Sequence, residues 1–121
     1  MSAEGWIAVA ILGSLGSIAR FLLDRAVSSR SSSSFPFGTL VVNASGTLML
    51  GLLTGVALSG EALLLAGSAT IGSYTTFSTW MLESQRLGED GQLLGGALNI
   101  LVSVIVGLGA VLLGRAIGGA L

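Results

Sequence analysis

"GSYTTFSTW", residues 72 to 80, crowds the hydroxyls of Ser73, Tyr74, Thr75, Thr76, Ser78 and Thr79 into an apolar run that extends from Ala62 to Leu82 without a single charge. Glycine and adjacent β-branched threonines are poor helix formers. The stretch therefore predicts that a membrane-crossing helix unwinds between Gly72 and Thr76. A broken backbone is tolerated at membrane depth only where protein, water or an ion satisfies the freed N–H and C=O groups. On sequence grounds alone a second reading stays open, a continuous helix whose hydroxyls bond back to the preceding turn.

The solvent for such a helix follows from composition. The 121 residues are 52% apolar and only 9% charged, with a mean hydropathy of +0.92. Soluble domains carry about 25% charged residues, so five basic and six acidic side chains cannot coat this chain in water. It reads as an all-α membrane protein. With no cysteine and no histidine, zinc sites, thiol redox chemistry and imidazole catalysis are excluded. No acid–base pair is placed to converge between helices, so an enzyme is not expected. The near-neutral charge balance offers no basic patch for nucleic acid.

Three uncharged runs, residues 37–58, 62–82 and 91–114, each reach the roughly 20 residues that cross about 30 Å of hydrocarbon. A fourth, beginning at Trp6, becomes a full span only if Arg20 and Asp24 lie near its end, where their spacing lets them neutralise one another on a helix. A charge there should face protein or water, so Arg20 is expected to line a vestibule. The expected organisation is one domain, residues 1–121, with spans of about 5–27, 37–58, 62–84 and 91–117. The apolar N-terminal segment carries Glu4 where a signal peptide would carry positive charge, and is expected to be a retained span. The loops are short. A serine-rich segment ends at the only proline, Pro36, at a natural helix start. Arg25, Arg30 and Arg86, against Arg115 alone on the other face, give only a weak positive-inside preference, with the first and third connections in the cytoplasm and both termini outside. Scattered glycines, among them Gly13, Gly16, Gly46, Gly51, Gly55 and Gly107, suit close helix packing in lipid.

Polar residues form stripes at helical spacing: Thr39 and Asn43 with Gly46 on the second span, and Asn99, Ser103 and Gly107 on the fourth. Single hydroxyls of this kind often bond only across helices; stripes on three spans suggest a lining. Their side chains can donate hydrogen bonds and none is ionised, which suits an anion better than a cation. Phe77 and Trp80, three residues apart, leave the third span on nearly the same side, and aromatic ring edges carry partial positive charge. Carbonyls freed at the break are ligands for a hard cation.

The segments "GSLGSIAR", "FGTLVVNASGTLMLG", "GSYTTFSTW" followed by Glu83, and "NILVSVIVGLG" resemble the small fluoride channels called Fluc, or CrcB-like proteins, over nearly the whole chain. The resemblance implies an antiparallel, dual-topology homodimer in the cell inner (plasma) membrane, with two fluoride pathways along the subunit interface. It further implies a structural sodium ion at the centre, held by the backbone carbonyls that fall here on Gly72 and Thr75 of both copies. By motif position the pathway falls on Asn43, Phe77, Trp80 and Ser103, with Arg20, Thr39, Thr76, Thr79 and Glu83 near it or its vestibule. Trp80 departs from the family's usual Phe; indole keeps a positive edge and adds an N–H donor. Gly107 stands where some members carry another hydroxyl. The implied activity is passive export of fluoride trapped in the cytoplasm after entry as neutral hydrogen fluoride. The competing expectation is a small multidrug-resistance-type proton-coupled transporter, which needs an embedded carboxylate in the first span; Glu4 lies at the edge and Asp24 beside Arg20. A non-transporting helical assembly would need the packing glycines alone.

Overall fold

Six α-helical segments and one π-helical run follow one another, with no strand, in the computed structural model, which describes residues 1–121. Helix α1, Ala3–Ser28, starts where the Ser2 hydroxyl accepts the Gly5 N–H at 3.1 Å, and Glu4 in its first turn complements the helix dipole. Helix α2, Phe37–Gly55, begins directly after Pro36. The last helix, α6, runs Leu93–Ala120. These three are long and apolar enough to cross a bilayer unaided.

The third crossing is assembled from pieces: α3 (Gly60–Leu63), a π-helix over Leu64–Ile71, α4 (Gly72–Tyr74) and α5 (Ser78–Glu89). The helix is therefore interrupted, and the continuous alternative is excluded. The interruption comes after the glycine: Gly72 keeps helical dihedrals, φ −60° and ψ −35°, whereas Thr75 turns extended at φ −78° and ψ 161°. The π-helix had no signal in the sequence reading. Its wider turn is matched by the Thr70 hydroxyl, which donates to the Leu65 carbonyl five residues back at 2.8 Å.

Two tight turns close the bundle. At the end of α5, the Gln92 N–H reaches Leu87 O at 2.8 Å and the Gly91 N–H reaches Gly88 O at 3.3 Å, with Gly91 at φ +79°. That is a Schellman cap with glycine in its left-handed position. The end of α2 makes the same pattern, Leu58 to Leu53 and Ala57 to Thr54, each at 3.0 Å. There the left-handed residue is Ala57, at φ 59°.

Backbone contact through glycine holds the helices together. On α2, Gly51 and Gly55 face Gly114 and Gly118 of α6, and a Cβ at Gly55 would come within 2.6 Å of the Arg115 carbonyl. Gly16 of α1 lies against the Thr70 carbonyl and the Tyr74 N–H group, and Gly46 of α2 against the Thr75 methyl. Without a hydrophobic drive between helices in lipid, such approaches supply the packing. Gly107 is different, with open space where its side chain would be. Only 17 of 121 residues are buried, which leaves large apolar side chains such as Trp6, Phe21, Ile105 and Leu112 facing outward. An outward face of that kind belongs in lipid or against a partner.

Candidate functional site

The broken segment is pinned from two sides. Helix α2 supplies Asn43, whose Nδ2 donates to the Thr76 carbonyl and whose Oδ1 accepts the Thr76 N–H, both at 2.8 Å. One carboxamide thus replaces both backbone partners that Thr76 loses by leaving the helix. Two residues on, the Ser45 hydroxyl donates to Val42 O, so the Tyr74 hydroxyl is the donor in its 2.7 Å contact with Ser45. The Thr76 hydroxyl then accepts the Thr79 N–H at 3.2 Å and starts the next helix. From the other side, Arg20 of α1 donates from Nη1 to the Thr75 carbonyl at 3.2 Å.

That last bond corrects the sequence reading, in which Arg20 and Asp24 neutralise one another. Asp24 instead accepts the Ser28 hydroxyl at 3.1 Å. A guanidinium is drawn to the carbonyls that a broken helix leaves exposed, as to any helix C-terminus. Arg20 and Asp24 still share one polar cavity of about 240 Å³ with Ser17, Thr39, Thr76 and Thr79. Thr39, only 2% exposed, donates to the Glu83 carboxylate of α5.

Beside this cavity runs an open groove of about 790 Å³, lined by Asn43, Thr75, Thr76, Phe77, Trp80, Ser103 and Gly107 among uncharged neighbours. Thr76 borders both spaces. The Phe77 and Trp80 rings meet edge to face, centroids 5.7 Å apart at 86°, and Phe77 is 70% exposed. The groove brings together Asn43, Phe77, Trp80 and Ser103; the cavity collects Arg20, Thr39, Thr76 and Thr79, with Glu83 attached through Thr39. Ser73 packs beside Gly13, and Ser78 faces outward.

Two donors are already engaged. The Trp80 indole N–H, which the sequence offers as an extra donor, goes to the Asn99 backbone carbonyl of α6 at 3.0 Å. Asn99 itself leaves the stripe it shares with Ser103 and Gly107. It is fully buried, and its Nδ2 donates to Ser84 Oγ of α5 at 2.8 Å. Its place in the wall could not be read from spacing, because a residue on the flank of a stripe can turn toward either neighbour.

The carbonyls assigned by resemblance to sodium fit a hard cation in part. In a continuous helix Thr76 would serve Gly72, but its N–H goes to Asn43, which releases the Gly72 carbonyl from the ladder. The Thr75 carbonyl lies in the break and receives Arg20. Both are neutral oxygens, the donor type such ions take, yet two fall short of the roughly six that complete a shell.

The fold defines a small multi-pass membrane protein with a clamped break in its third crossing. Residues 7–115 match the family model described as "CrcB-like protein, Camphor Resistance (CrcB)". The chain belongs to that family. It is 56% identical over 110 residues to "Fluoride-specific ion channel FluC 2" of Mycobacterium tuberculosis (strain ATCC 25618 / H37Rv), covering 91% of this chain and 87% of that one. The protein of the same printed name from Mycolicibacterium paratuberculosis is 57% identical over 110 residues, 91% of this chain and 90% of that one. A "Fluoride-specific ion channel FluC 1" of Leifsonia xyli subsp. xyli is 41% identical over 117 residues, 93% of this chain and 85% of that one.

Proposed function

We propose that this chain forms a fluoride-selective passive channel of the cell inner membrane that lets cytoplasmic fluoride leave down its gradient. The observation that carries the reading is the groove itself. Asn43, Phe77, Trp80 and Ser103 converge there, beside a polar cavity that holds Arg20 and shares Thr76 with it. An anion drawn to the guanidinium would pass from the cavity to neutral donors and ring edges. These hold it weakly enough to release it. The relatives' printed names agree with that chemistry.

The channel is proposed to be an antiparallel homodimer. An open groove and a 70% exposed Phe77 need a second wall, and the Gly72 and Thr75 carbonyls of two copies would supply four oxygens where one chain supplies two. A sodium ion there would tie the two breaks together electrostatically and would not be transported. Within each chain, Asn43 holds the break open and Arg20 neutralises carbonyl charge at its edge. The multidrug-transporter reading has less support, because no carboxylate lines the groove.

The test is efflux of fluoride from vesicles containing the purified protein, followed with a fluoride electrode while chloride competes. Rapid fluoride loss with chloride retained is expected. Vesicles that hold their fluoride, or that pass chloride equally well, would overturn the proposal.

A further inference from the structure

We infer that Asn99, which does not line the groove, is a positioning residue that sets the direction of the Trp80 ring and, through it, of Phe77; the inference rests on the channel reading above. Three hydrogen bonds close a ring between α5 and α6. The Trp80 indole N–H donates to the backbone carbonyl of Asn99 at 3.0 Å, Asn99 Nδ2 to Ser84 Oγ at 2.8 Å, and Ser84 Oγ to Trp80 O at 2.9 Å; Asn99 Nδ2 also reaches Trp80 O, more weakly, at 3.5 Å. The Ser84 hydroxyl has one proton and gives it to Trp80 O, so Asn99 can meet it only through the amide N–H. That fixes which way the carboxamide faces.

The residue's chemistry is otherwise hard to justify. Asn99 is fully exposed to no solvent, 0% by area, and its Oδ1 is buried without a partner. A leucine, branched at the same carbon, would leave no acceptor unsatisfied. What a leucine could not do is bind Ser84. Helix α5 has only twelve residues and begins at a break, so its rotation is held by contacts with α6. Gly96 lets the Ser84 backbone approach, and the hydrogen-bonded ring sets the angle.

Trp80 thereby has its N–H turned into the wall. The ring surface it offers the groove is carbon, and its face-to-edge contact at 5.7 Å is what orients the exposed Phe77. Asn99 acts on selectivity through these two rings.

The test uses the full-length protein with Trp6→Phe, which leaves Trp80 as the sole indole of the two tryptophans. Asn99→Ala keeps the backbone carbonyl that accepts the indole N–H but removes the carboxamide that ties α6 to Ser84 and to the Trp80 backbone, so the angle between α5 and α6 loosens and fluorescence anisotropy of Trp80 in detergent is expected to fall. The fluoride-to-chloride flux ratio is expected to drop roughly tenfold, the change in equilibrium that one such hydrogen bond can support. Ser84→Ala removes the nearer of the amide's two acceptors while keeping Asn99, leaving only the weak 3.5 Å bond to Trp80 O, and should shift both readouts the same way; it serves if Asn99→Ala does not fold. In a Trp80→Phe background no indole depends on the wall, so adding Asn99→Ala should change the flux ratio little further. Unchanged anisotropy in the folded variants would overturn the inference. So would equal flux losses from Asn99→Ala in the Trp80 and Phe backgrounds, the pattern of a residue that only supports the fold. If the parent protein carries no fluoride, the channel reading fails, while anisotropy still decides whether Asn99 holds the ring.

Discussion

Asn43→Asp changes one nitrogen to oxygen at the point where α2 holds the broken crossing. The acceptor half of the clamp survives, since a carboxylate oxygen can still take the Thr76 N–H. The donor half reverses: an oxygen now faces the Thr76 carbonyl across the 2.8 Å that Nδ2 bridges. Losing the bond costs about 1 kcal/mol, and an acceptor held against another acceptor about 1–3 kcal/mol more. Asn43 is half-buried, so water screens part of that penalty. The lower end of the sum, about 2 kcal/mol, is expected, or about 30-fold in the equilibrium between clamped and released break. Thermal unfolding in detergent at neutral pH should show the loss, and fluoride efflux from vesicles should fall with it. Protonating the new acid restores an O–H donor toward Thr76 O, so the penalty present at neutral pH should shrink as the pH is lowered. The unfolding assay reads that recovery directly, without the leak of neutral hydrogen fluoride that acid brings to flux measurements. A variant as stable as the parent at neutral pH, or one whose loss is the same in acid, would refute the clamp.

Other outcomes follow from single features. Ala57→Gly should raise stability by about 1 kcal/mol in thermal unfolding, because it relieves an L side chain of the left-handed cap at φ 59°. Gly114→Val should cost about 3 kcal/mol and deplete the folded fraction on size-exclusion chromatography, since its Cβ would meet the backbone at Leu48 and come within 2.8 Å of the Leu52 nitrogen. Phe77→Ile should lower fluoride flux about tenfold and leave the unfolding of detergent-dispersed single chains unchanged, because the ring is 70% exposed.

Much of the architecture is written in composition and local pattern. Low charge and long apolar runs require lipid as solvent, and glycine followed by two threonines weakens a helix wherever it sits. Those are properties of residues and their immediate neighbours, so the membrane class, the crossings and the interruption were legible. The interruption's exact place was not: Gly72 stays helical, and the chain departs at Thr75, where Asn43 offers Thr76 a replacement for both backbone bonds. Parts of the candidate site were legible for the same reason. Stripe spacing found Asn43, Ser103 and the ring pair, which share a groove. It could not show which partner each polar group takes.

Arg20, Trp80 and Asn99 make the distinction concrete. Sequence pairs Arg20 with the acid one turn away, but distant chain brings it the Thr75 carbonyl. It gives Trp80 a spare donor, but α6 takes that donor through Asn99. The sequence by itself determined the solvent, the number of crossings and which residue types could meet an anion, because those depend on transfer free energy and helical period. Only the tertiary structure decided which of those donors remain open to the groove, because each is satisfied by whichever group comes within about 3 Å of it, and that proximity is set by how the glycine seams let the helices approach.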